Sequence, residues 1–66
     1  MKYRVLAGKI VEHDYSYDDV ARVIGVSPKT LRQKIKGNSP FTWNEVVAMQ
    51  TNLFPDVDKD TLMRAN

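Results

Sequence analysis

The residues with the clearest chemistry lie between Pro28 and Lys36, in the run PKTLRQKIK. Leu31 and Ile35 are i, i+4 neighbours and belong to the buried side of one helix. That leaves Lys29, Thr30, Arg32, Gln33 and Lys36 facing outward. Arginine and lysine donors fit guanine O6 and N7, and a glutamine amide fits adenine N6 and N7. A solvated helix face normally mixes signs, but this one holds no acid. The residue types therefore point to double-stranded DNA read from the major groove. Pro28, Lys29, Arg32 and Gln33 sit on the first two turns, the part of a recognition helix that enters the groove. They are the expected base contacts, with Pro28 suited to a thymine methyl. Thr30 is assigned to phosphate.

The charge pattern agrees with a polyanionic partner. The formal net charge is only +2, yet residues 20–44 carry Arg22, Lys29, Arg32, Lys34 and Lys36 with no acid. The flanking segments are net negative. A one-sign block inside a small domain points to nucleic acid, the alternative being a solvated face that only confers solubility. Ser16 and Tyr17 begin the preceding helix, whose N-terminus and dipole suit a phosphate.

Three matching helix starts position these residues. Ser16, Ser27 and Thr42 are N-caps, each preceded by a hydrophobic residue and followed by another at the fourth helical position. Glu45 completes a capping box with Thr42, and Asp19 forms a weaker one with Ser16. Pro28 stands at the first helical position, where its missing N–H costs nothing. Gly25 and Gly37 follow the last turns, where left-handed backbone angles are tolerated. The second helix then spans Tyr17–Ile24 and the third Pro28–Lys36. Two short helices with a three-residue, glycine-led turn make a helix-turn-helix unit over about residues 17–36.

Before it, a first helix is expected over Lys2–Glu12, with Tyr3, Leu6, Ala7, Ile10 and Val11 as its apolar stripe. Gly8 in its middle would mark a close helix approach. After it, a fourth helix is expected over Trp43–Asn52, with Trp43, Val46, Val47 and Leu53 inward. A short fifth helix is expected near Lys59–Arg64. The fold class is thus all-α, a compact four- to five-helix single domain spanning residues 1–66.

Val20-Ala21-x-x-Ile24-Gly25-Val26-Ser27-x-x-x-Leu31 resembles the phage repressor and Cro-type helix-turn-helix proteins, the XRE family. It is most similar to the short Cro-like regulators of phages from low-GC Gram-positive bacteria. The stretch Tyr15–Val46, about half of the chain, carries the resemblance. It implies a lambda-repressor-like fold and a transcriptional repressor that acts by operator occupancy. It also implies phosphate contacts from Lys36, Asn38, Ser39 and Thr42, in the loop after the third helix. Two positions depart from the family pattern. Lys34 stands where an apolar residue is common, and Tyr17 where a phosphate-binding glutamine is common. With Ile35 apolar instead, the buried stripe survives by a small rotation.

Other functions find no support in the residue inventory. There is no cysteine, and His13 is the one histidine, so disulfides and cysteine or histidine-cluster metal sites are excluded. No nucleophile–base pair and no phosphate-cradling loop is present, so neither an enzyme nor a cofactor is expected. Adjacent Asp18 and Asp19 point about 100° apart on a helix and read as first-turn charges. Trp43 and Phe41 could stack on single-stranded bases, but their positions favour the core. His13 reads as an exposed residue at the end of the first helix. No apolar run reaches the roughly 18 residues of a membrane span, and no signal-peptide core follows Met1. A cytoplasmic location and no membrane or small-molecule partner are expected.

The tail over 53–66 holds Leu53, Phe54, Val57, Leu62 and Met63. That is a large apolar set for a small core to hide, so a homodimer contact is expected there, on a two-fold DNA operator. The competing reading is an antirepressor that binds another regulator through this same tail.

Overall fold

Two small residues let the central helices meet. In the computed structural model, which describes residues 1–65, α2 (Tyr17–Ile24) and α3 (Pro28–Lys36) are joined by Gly25, Val26 and Ser27. Ala21 is fully buried on α2, beside Val20, and Leu31 and Ile35 are fully buried on α3. Gly25 closes α2 at φ 78°, and its backbone N–H returns to the Ala21 carbonyl. A residue with a Cβ is strained at that angle, so the turn depends on glycine.

All three caps form. The Ser16 hydroxyl accepts from the Asp19 amide and the Asp19 carboxylate accepts from the Ser16 amide, both at 3.0 Å. Ser27 accepts from the Thr30 amide at 3.1 Å. Thr42 opens α4 (Trp43–Leu53) with a full capping box to Glu45. The flanking helices are α1 (Arg4–Glu12) and α5 (Lys59–Leu62). The described residues contain these five helices and no strand.

Four expectations fail here for stated reasons. First, α1 begins at Arg4, with Tyr3 as its cap at the non-helical angles φ −111° and ψ 71° and its amide donating to the Ile35 carbonyl at 3.2 Å. Leu6 and Ile10 carry its buried face, while Val11 is 73% exposed. Second, a Cβ added at Gly8 would meet no other part of the fold within 4 Å, so it marks no close helix crossing. Third, Trp43 is 67% exposed, and Met49 takes the inward position on α4 with Val46 and Leu53. Fourth, the tail is core. Phe54 and Leu62 are fully buried and Leu53 and Val57 nearly so, all in one cluster with Leu6, Ile10 and Met49. They close the bottom of the monomer and cannot be the dimer contact; only Met63 keeps partial exposure.

Phe54 organises that lower half. His13 and Tyr15 meet its ring edge-on at 5.2 and 5.6 Å. The Tyr15 hydroxyl donates to the Leu53 carbonyl at 3.1 Å. The Gln50 amide donates to the Val57 carbonyl at 3.1 Å and holds the α4–α5 link. His13 is therefore half-buried among aromatics rather than a free residue at a helix end, and its Nδ1 bonds the Lys9 carbonyl at 2.9 Å.

The fully buried Ala21 sets the spacing of α2 and α3. Ala21→Leu is expected to lower stability by about 1–3 kcal/mol through overpacking. A thermal melt reads this directly, and an unshifted midpoint would mean that the two helices do not cross at Ala21.

Candidate nucleic-acid interface

The outward side of α3 begins at Pro28, whose ring fits the first turn. Lys29, Thr30, Arg32 and Lys36 are exposed, and Pro28 and Gln33 are half-exposed. The base-contact set expected from the sequence therefore shares one accessible face. The Thr30 hydroxyl accepts from Ser27 at 3.0 Å, which orients it at the helix start. The Asn38 amide donates to the Gln33 Oε1 at 2.7 Å. That bond fixes which way the Gln33 amide points and leaves its two Nε2 donors without a partner among the described residues. Asn38 thus touches Gln33, a residue expected from the sequence to meet a base, in addition to the phosphate role expected for it.

Charge on this face is sorted. Of the five cations in residues 20–44, two are paired with acids outside that block. Arg22 lies 3.8 Å from Asp19 and Lys34 lies 3.1 Å from Glu45. Lys29, Arg32 and Lys36 have no acidic partner among the described residues, and all three stand on α3. Lys2 joins them from the chain start. Its side chain runs over Gly37, where an added Cβ would meet the Lys2 Cβ at 2.9 Å. Gly37 also has φ 96°, so both its angle and its lack of a side chain are used. Lys2 was not assigned from the sequence, because only folding brings it to the end of α3.

Lys34 is the largest departure from expectation. It is 8% exposed, beside the buried Leu31 and Ile35, so the helix has not rotated to expel it. Its ammonium donates to the Pro40 carbonyl at 2.8 Å and sits 3.1 Å from Glu45 Oε1. The same carboxylate oxygen accepts from the Thr42 amide at 2.9 Å. One buried cation therefore ties α3, the loop and the start of α4 together. Burial pushes the Glu45 carboxyl up, but the Thr42 amide and the Lys34 ammonium outweigh it and hold the carboxyl below its ordinary range.

The expected phosphate contacts divide. Asn38, Ser39 and Thr42 lie on the loop that Lys34 anchors, next to Lys36, and Asn38 and Thr42 are exposed. Ser16 and Tyr17 are less favourable. The Asp19 carboxylate already holds the Ser16 amide, and this bond keeps the carboxyl below its ordinary range. Asp18 adds a second negative charge to the same turn. Like charge at that helix start opposes a phosphate.

A second surface feature has no place on α3. Trp43, Tyr3, Phe41, Val46 and Met63 line a depression of about 320 Å³, with Lys59 and Asp60 at its edge. The Lys59 ammonium lies 6.0 Å from the Trp43 ring centre. Among the described residues no His, Cys, Asp and Glu cluster could hold a metal, and no helix is long and apolar enough to cross a membrane. The chain matches no protein-family model, no curated protein and no solved structure.

Removing one partner of a buried ion pair leaves the other charge uncompensated. Lys34→Ala is expected to destabilise the domain by about 3 kcal/mol. The double variant Lys34→Met with Glu45→Gln should recover most of that loss. Because Glu45 is more acidic folded than unfolded, its contribution is complete above about pH 5 and drains as pH falls through its folded value. Chemical denaturation of the wild type and of Glu45→Gln between pH 7 and pH 3 checks both statements. Equal pH dependence in the two proteins would contradict them.

Proposed function

We propose that this chain is a sequence-specific double-stranded DNA-binding regulator, acting as a Cro-like repressor through occupancy of its operator. One observation carries the reading. Lys29, Arg32 and Lys36 stand exposed and unpaired on one helix face, while Arg22 and Lys34 are neutralised by acids elsewhere. A face that only aids solubility has no reason to exclude acids so completely. Arg32, Gln33, Lys29 and Pro28 contact base edges, and Lys36, Asn38, Ser39 and Thr42 contact phosphate. Phosphate contacts set register, and base contacts set specificity. The resemblance of Tyr15–Val46 to phage repressor and Cro-type proteins supports the same reading. Binding of this kind places the protein with the bacterial chromosome or phage DNA, in the cytoplasm.

One recognition helix reads too few base pairs to select a site in a genome, so the operator is bound by a homodimer. The Cα extents are 26 × 24 × 22 Å. Half-sites one turn apart, about 34 Å, exceed each of these extents, so two copies fit side by side on one face of the duplex. We assign the contact to the depression at Trp43, because Tyr3 in its wall is bonded to Ile35 near the end of α3. Lys59 and Asp60 beside it carry opposite charges, as a self-complementary contact between two copies requires. A standard interface takes about 800 Å² from each partner. That is about a fifth of this domain's 4066 Å², more than one exposed tryptophan and its rim supply. The dimer therefore forms cooperatively on DNA rather than in free solution. The antirepressor alternative loses its surface, since Phe54, Val57 and Leu62 are buried.

Arg32→Ala and Gln33→Ala are each expected to weaken the preferred site by about 1–3 kcal/mol while sparing random duplex. Lys36→Ala should weaken both alike and lower the log–log salt slope by about 1. Filter binding across salt concentrations separates these outcomes, and salt-independent binding would exclude the DNA reading. Trp43→Ser should leave the fold intact and abolish cooperativity on a two-half-site duplex. Sedimentation of the free wild-type protein as a tight dimer would contradict assembly on DNA.

A further inference from the structure

Arg32 and Tyr17 belong to different helices, yet the Arg32 guanidinium carbon lies 5.5 Å from the centre of the Tyr17 ring. Tyr17 opens α2, and its ring is half-buried against the core, so it is a fixed surface rather than a swinging one. Arg32 is exposed and has no acidic partner among the described residues. The two residues, with Met1, Ile35 and Lys36, line a depression of about 260 Å³. Lys36 is four residues beyond Arg32, where like charges on a helix repel. The ring of Tyr17 is thus the favourable contact available to the Arg32 head.

We infer that Tyr17 is a positioning residue that holds Arg32 flat for a guanine edge, a role resting on the DNA reading above. A free arginine samples many rotamers, and ordering it opposes binding. Stacking on an aromatic face removes part of that freedom before the duplex arrives. A stack of this kind would occupy only the flat side of the guanidinium. Its five N–H donors lie in the plane and remain available for a bidentate contact. Tyr17 therefore acts on sequence discrimination through its ring, and its hydroxyl is not required. This replaces the phosphate contact expected of it, which the carboxylates of Asp18 and Asp19 already oppose.

The ring makes a measurable difference without DNA. In the free wild-type protein, nuclear magnetic resonance should show the Arg32 Hδ protons shifted upfield by the Tyr17 ring current. Unshifted Hδ resonances would overturn the inference whether or not the protein binds DNA. The second arm uses a random-sequence duplex pool, from which wild-type protein selects its preferred site. Tyr17→Phe should keep wild-type affinity for that site and for the unselected pool. Tyr17→Leu should lose about two- to fivefold at the selected site and nothing on the pool. In an Arg32→Lys background, Tyr17→Leu should add no further loss. Equal losses on site and pool for both Tyr17→Phe and Tyr17→Leu would return Tyr17 to a hydroxyl–phosphate role and overturn the inference. A wild-type protein that enriches no sequence would overturn the DNA reading itself, while leaving the Hδ result to judge the stack.

Discussion

The ion pair between Lys34 and Glu45 is the constraint on which the proposed DNA-reading half of the molecule depends. A buried ammonium is tolerated only when its charge and donors are satisfied. Here the Glu45 carboxylate and the Pro40 carbonyl satisfy it, and both lie beyond the end of α3. The loop must therefore fold back over the helix for the cation to be buried at all. The Glu45 oxygen that meets Lys34 also caps α4 at Thr42. Helix, loop and next helix are consequently one unit, and the loop residues proposed for phosphate stand in fixed register with the face proposed for bases.

Ion pairs also sort the charges. Lys34 is answered by Glu45 of α4 and Arg22 by Asp19 of its own helix, so what remains free on α3 is an outward set. Tyr17 then bears on one member of that set, Arg32. Lower down, Phe54 and Leu62 complete a core that a chain of 66 residues could hardly fill otherwise. A domain this small uses its tail apolar residues for its own stability. The contact proposed for a second copy then falls to what is left outside, and Trp43 is the one aromatic among the exposed large hydrophobic residues described.

Much of this was legible in the sequence because it is local chemistry. Ser16, Ser27 and Thr42 act within three residues of themselves, so the starts of α2, α3 and α4 fall where their caps put them. Gly25 and Gly37 end helices by their own backbone angles. What was not legible depends on distant partners. Lys34 looked like a departure absorbed by a small helix rotation because its acid lies eleven positions away, across a loop. Val11 and Trp43 fitted their helical stripes, but no element covers those faces. The tail looked surplus because periodicity counts apolar residues without measuring the space they fill. Lys2 reaches Gly37 only through tertiary folding. The contact between Arg32 and Tyr17 was hidden for the same reason, since each residue was read on its own helix.

The central claim is that the outward face of α3 and its anchored loop form the surface that meets DNA. Amide chemical-shift mapping during titration with a duplex carrying the selected site tests it most directly. The account expects the largest shifts over Pro28–Gln33 and residues 36–42, with Val57 and Leu62 unmoved and Trp43 shifting only as the second copy binds. Shifts centred on the α4–α5 link, or none anywhere in α3, would contradict it.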